Sequence, residues 1–208
     1  SNLVVNSERP ERPTGSKPAT PGAASKPGEG MAGYVLQQML VQPQLLSESD
    51  RQLQDLGFEP LREADFGRSE QRTLLQVLSD LQARGETWQL PGLTEEVPPF
   101  LQTYLAGLVN GLQARPAVAL DQAAYDLVNA ILRLRQGNLQ QRLQELRHLQ
   151  ADDSDDRTES NDSENAYRFL VETCRQELGK LQAALSRRSL LSQGAQRSSP
   201  PTVGPTGI

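Results

Sequence analysis

The chain has 208 residues, a net charge of −5, a pI near 5.0, 4% aromatic residues, one cysteine and one histidine. The length fits one or two domains and one sizeable core. The acidic balance argues against a large nucleic-acid footprint. A lone Cys174 excludes an internal disulfide, and one Cys with one His cannot make a Cys/His zinc site.

Apolar residues recur at helical spacing and β-branched runs are nearly absent, so the fold class expected is all-α. No stretch approaches the roughly 20 apolar residues of a spanning helix. Leu3, Val4 and Val5 are too short a run for a signal peptide. The expectation is a cytoplasmic protein without membrane association.

Residues 1–32 hold Pro10, Pro13, Pro18, Pro21 and Pro27 among Gly, Ser, Ala and Lys. Such a segment buries too little apolar surface to offset its ordering entropy and reads as a disordered linker. A linker at the start, without an initiator Met, reads as the C-terminal fragment of a longer protein. Ser1-Asn2 fits a cloning scar.

A helical bundle is expected over 33–135. Its first helix begins near Gly33, with Tyr34, Val35, Leu36, Met39 and Leu40 apolar, and stops near Pro43. A second, starting at Ser47 or Ser49, ends at Gly57, a residue suited to a left-handed cap. A third runs from about Ser69 to Arg84, with Leu74, Leu75, Val77, Leu78 and Leu81 inward. Trp88, Leu90 and Leu93 sit in a Pro/Gly-interrupted loop with room for one short turn. Pro98 and Pro99 open the next helix, and Pro116 ends it. The last bundle helix starts near Asp121, with Tyr125, Val128, Ile131 and Leu132 toward the body. Unbroken to Gln150 it would span about 45 Å, though Gly137-Asn138 marks a place to bend.

An antiparallel hairpin is expected over 136–191, its first arm continuous with the last bundle helix. The second arm carries Tyr167, Val171, Cys174, Leu178, Leu181 and Leu185 at spacings of four and three, a narrow heptad seam. The first arm offers Leu139, Leu143, Leu146 and Leu149. Residues 151–165, ADDSDDRTESNDSEN, hold seven acids and one arginine and read as a charged, mobile turn. The bundle residues 33–120 carry −5, whereas the two arms carry +4. Residues 192–208 read as a disordered tail.

Nothing in the chain has the spacing of catalytic or cofactor chemistry. There is no Gly-rich phosphate loop ending in Lys-Ser/Thr. His148 reads as a solvent-facing helical residue and Cys174 as a small buried hydrophobe. Asp152, Asp153, Asp155 and Asp156 lack the glycine turn and distal glutamate of a calcium loop. The expectation is no catalytic residue, no cofactor and no metal site. The seam is consumed inside the hairpin, so a partner would meet outward residues: Arg168, Phe169, Leu170, Arg175, Leu190 and Leu191 on the second arm, and Arg142, Arg147 and His148 on the first. Phe169 and Leu170 cannot both lie on a narrow seam with Tyr167 and Val171. At least one is spare, either as an interface anchor or packed on a flank of the hairpin.

The segment GYVLQQMLVQPQLL at 33–46 resembles the opening helix of a bacterial replication module, an apolar helix of the sense "LL-x-LLLQ-x-P-x-LL". Leu36, Met39, Leu40, Gln42, Pro43 and Leu45-Leu46 carry the likeness, and Phe66, Glu70, Arg72, Leu74 and Leu75 match a downstream "F…E-x-R…L" element. Two families share this bundle: the C-terminal helicase-interaction domain of bacterial DNA primase, and the N-terminal domain of the replicative helicase. The hairpin, the preceding linker and the absence of a following ATPase favour the primase. Gly33 departs from the charged residue with which the family begins, and the hairpin turn is unusually acidic and long.

The resemblance covers roughly 33–191. It implies a domain that docks through its hairpin on the N-terminal collar of the hexameric replicative helicase, with the bundle modulating the helicase. It also implies that the linker tethers a primer-synthesising polymerase, a nucleotidyltransferase absent from this chain, near the template. A monomer with at most weak direct nucleic-acid contact is expected. The alternatives are a helicase N-terminal-domain-like module, an adaptor that self-associates through the hairpin, and a single-strand binder using the basic arms, against which the acidic turn speaks.

Overall fold

The computed structural model describes the backbone of residues 30–112, 118–153 and 161–197, with side chains over 30–112, 118–149 and 165–190. Residues 1–29 of the linker expected over 1–32, the middle of the acidic turn and residues 198–208 of the expected tail lie outside the described residues, whereas Met31 and Ala32 already belong to the first helix. Within them every element is helical: α1 Met31–Val41, α2 Gln44–Asp55, a 3-10 turn Glu63–Asp65, α3 Ser69–Ala83, α4 Leu90–Glu96, α5 Pro99–Asn110, α6 Leu120–Asp153 and α7 Asn161–Arg197. The protein is all-α.

α1 is central because it is apolar on most of its circumference. Val35, Leu36, Met39 and Leu40 are buried, and the helix packs against α2, α3, α5 and α6. Pro43 closes α1 and opens α2 at once, leaving only Gln42 and Pro43 between them. α2 therefore begins at Gln44, ahead of the serines expected to cap it. Those serines bond inward instead: Ser47 Oγ donates to Gln44 O at 3.1 Å, and Ser49 Oγ to Leu46 O at 3.0 Å. Inside a helix a Ser or Thr hydroxyl can instead bond a carbonyl three or four residues back. Gly57 and Gly85 follow α2 and α3 with φ of 79° and 73°, the left-handed turn-off in which a Cβ is strained.

α5 closes at Asn110, ahead of the stop expected at Pro116. The buried Gln37 side chain of α1 reaches its end, and Nε2 donates to Leu108 O at 2.9 Å. Trp88, in the segment before α4, is buried with Nε1 donating to Met39 O at 3.2 Å.

α6 is 34 residues long, about 51 Å at 1.5 Å per residue. It passes through Gly137-Asn138 without a break. Glycine costs about 1 kcal/mol there relative to alanine, and tertiary ties on both sides outweigh that. Arg135 grips the strap between α2 and α3: Nε and Nη2 reach the two Asp65 carboxylate oxygens at 2.8 and 2.7 Å, and Nη1 and Nη2 reach the carbonyls of Glu59 and Pro60 at 2.9 and 2.7 Å. Asn138 Nδ2 donates to Asp65 O at 2.6 Å.

α7 returns antiparallel along α6, so that Arg188 lies beside Tyr125 and Asn129. Of the expected seam, Cys174 and Leu181 are buried, while Tyr167, Val171, Leu178 and Leu185 are half-buried. Ala184 and Arg188 are buried as well. Leu181 and Ala184 belong to the same core as α1–α5. The C-terminal half of α7 is thus laid against the body, and only the distal part of the hairpin projects. α7 also continues to Arg197, beyond the boundary expected at 191.

Candidate partner-docking surface

The distal hairpin gathers exposed apolar and basic side chains on two helices. Phe169 is 71% exposed and Leu170 39%. Phe169 therefore is not packed on a flank of its own hairpin. In the register that sets Arg188 between Tyr125 and Asn129, Phe169 lies level with roughly residue 146 of α6. Leu149, which the heptad pattern assigns to the seam, is 57% exposed. Near the end of the first arm Leu149 is left out of the seam although α7 runs alongside, and it adds to the exposed apolar surface. Arg147 and His148 beside it, and Arg168 and Arg175 along α7, are exposed too.

The structure does not bring the other expected partner residues to this place. Leu190 is 69% exposed, but it lies 21 residues from Phe169, about 32 Å along a continuous helix. Leu191 is described by its backbone alone. Arg142 faces a different feature, a groove of about 750 Å³ between the 57–67 strap and the hairpin. Phe58, Arg72, Leu139, Arg142 and Lys180 are among its walls. Sequence spacing could not separate Arg142 from Arg147, because the strap that makes the groove, residues 57–67, is distant in sequence. Phe100, at the start of α5, is 63% exposed and was not singled out by its pattern.

Among the described residues no group of three or more His, Cys, Asp or Glu side chains is placed to hold a metal ion, and no helix is long and apolar enough to cross a membrane. No protein-family profile, curated protein or solved structure was found to match the chain.

Proposed function

We propose that this chain is the helicase-interaction domain of a bacterial DNA primase, which docks the distal hairpin on the N-terminal collar of the replicative helicase and so recruits primer synthesis to the fork. The observation that carries the reading is the solvent-facing pair Phe169 and Leu170 on a rigid helix, flanked by Arg168 and Arg175. Exposed aromatics beside arginines are the residue types that anchor interfaces. The pattern of α1, α2 and α3 described above supports the same family. The seam is used within the chain, which favours a monomer over an adaptor that pairs through it. The parent protein would be a nucleotidyltransferase of the cytoplasm. This domain would contribute attachment, with no catalytic residue and at most weak direct contact to nucleic acid.

Deleting the second arm would be a poor test, because Leu181 and Ala184 would leave the core with it. The test is a titration of this chain against the host's replicative helicase hexamer, comparing wild type with Phe169→Ala/Leu170→Ala. The wild type should bind with a Kd of roughly micromolar order. The double variant should bind at least about tenfold more weakly with an unchanged melting temperature, as exposed substitutions usually cost less than about 0.5 kcal/mol in stability. Absence of wild-type binding at tens of micromolar overturns the reading.

A further inference from the structure

The groove between strap and hairpin has a size of about 750 Å³, inside the range of roughly 300–1,000 Å³ typical of small-molecule sites. Most of its carboxylates are already used. Asp65 is paired with Arg135, Glu59 with Arg62, and Glu177 with Lys180. Two guanidinium groups on its walls have no carboxylate partner among the described residues. Arg72 is held in place by backbone carbonyls alone: Nε donates to Phe66 O at 2.9 Å and Nη2 to Gly67 O at 3.1 Å. That fixes its plane and leaves Nη1 to donate elsewhere. Arg142, on α6, has no hydrogen-bond or ion-pair partner among the described residues. Phe58 and Leu139, both half-buried, give the groove an apolar floor.

We propose that this groove binds a phosphate monoester carried on a compact, partly apolar body, with Arg72 and Arg142 holding the phosphate. The two guanidinium donors, more than the net charge, decide the class of ligand, since Glu145 offsets part of that charge. A phosphate monoester carries about −1.5 to −2 at pH 7 and matches two unneutralised guanidinium groups, which bind phosphate through paired N–H donors. A single carboxylate offers fewer acceptor oxygens to two guanidinium forks than a phosphate does. A triphosphate would exceed the available positive charge and crowd the remaining acid of the groove, Glu145, whose carboxylate, among the described residues, accepts only from Gln141 Nε2 at 2.8 Å. A guanidinium positioned in advance by two backbone carbonyls also loses less freedom on binding than a mobile one. The proposal stands on the groove alone and is independent of docking at the hairpin tip.

The test is a titration of the whole chain with AMP, adenosine, inorganic phosphate and ATP, followed by amide chemical shifts. AMP should give saturable shifts at Gly57 and Gly67, stronger than phosphate and not exceeded by ATP, while adenosine should give none. AMP affinity should rise between pH 5 and 7, as the second phosphate proton leaves near pH ~6. Arg142→Gln should weaken AMP about tenfold or more, the loss of one charge-assisted contact. Its side chain is exposed and holds nothing else in place, so the fold should be unchanged. Arg72→Gln should act likewise, whereas Arg147→Gln, outside the groove, should have no effect. The proposal is overturned by an absence of shifts at roughly 10 mM AMP, a Kd too weak for a specific site. It is equally overturned by an equal response to adenosine, tighter binding of ATP, or insensitivity to Arg142→Gln.

Discussion

The guanidinium of Arg188 sits 4.0 Å from the centroid of the Tyr125 ring, and each residue also hydrogen-bonds the other's backbone. Arg188 Nη2 donates to Tyr125 O at 2.9 Å, and the Tyr125 hydroxyl donates to Arg188 O. Arg188 Nε completes the clasp on Asn129 Oδ1 at 2.7 Å. Burial, more than any other influence, draws the Arg188 pKa below its ordinary value; the side chain stays charged because arginine starts so high. Arg188→Ala should destabilise the protein by about 2–3 kcal/mol, since hydrogen bonds from a charged donor are lost and their acceptors left buried. Tyr125→Phe, which removes one hydroxyl, should cost only about 1 kcal/mol. Urea unfolding measures both. Equal losses for the two variants would contradict the clasp.

Asp65 and Arg135 join the strap to α6 through a pair whose side chains are only 10% and 12% exposed. Removing one partner leaves a buried charge, so Asp65→Ala or Arg135→Met alone should each cost about 3–5 kcal/mol. The combined variant should cost distinctly less than their sum, because a buried pair gives back most of its attraction as desolvation. Additive losses in a double-mutant cycle would mean the two groups act separately.

A methyl group at Gly111 would meet Gln37 Nε2 at 2.7 Å, the atom that satisfies Leu108 O. Backbone strain is not involved, as φ is −82°. Gly111→Ala should therefore cost about 1 kcal/mol, the value of one hydrogen bond from the buried Gln37 amide, as Leu108 O keeps the Gly111 N–H at 3.2 Å. In a Gln37→Ala background the same substitution should cost almost nothing further. Thermal melts of the four proteins read this coupling directly.

Burial pushes the Asp50 carboxyl above its ordinary value of 3.8, with a smaller push from Asp65; the Leu61 amide and Arg135 pull it back only in part. The native state therefore holds this proton more tightly than the unfolded chain. The stability gained from the protonated form is fully present below 3.8 and is lost as pH rises through the folded value. Asp50→Asn removes that loss while keeping an oxygen to accept from Leu61 N, a bond of 2.9 Å in the native protein. Relative to wild type, the variant should gain stability as pH rises above 3.8 and then level off. Urea midpoints across the acid range measure this, and a relative loss with rising pH would show the reverse sign.

Helix periodicity made α1, α3, α5 and the two long helices legible, because each has an apolar stripe at 3.6-residue spacing that packing then rewards. Boundaries were less so. Ser47 and Ser49 look like caps, but Pro43 had already set α2 going. Gly137 looks like a hinge, but Arg135 and Asn138 fasten the helix on both sides. The seam was readable from Tyr167 to Leu185. Its extension through Ala184 to Arg188 was not, since a small residue and an arginine are not apolar signals. Of the exposed surface, Phe169 was found by exclusion from the seam. The groove was invisible because Arg72 and Arg142 line one surface only through the strap.

The buried Trp88, tied to Met39, and the buried Cys174 on the hairpin seam are the single tryptophan and single cysteine of the chain. The unaltered protein thus carries one intrinsic fluorophore in its body and one thiol in its projecting arm. Emission from the indole and the rate of thiol labelling report on the two regions separately. If a ligand loosens the arm while leaving the body intact, labelling will quicken without any change of colour in the indole.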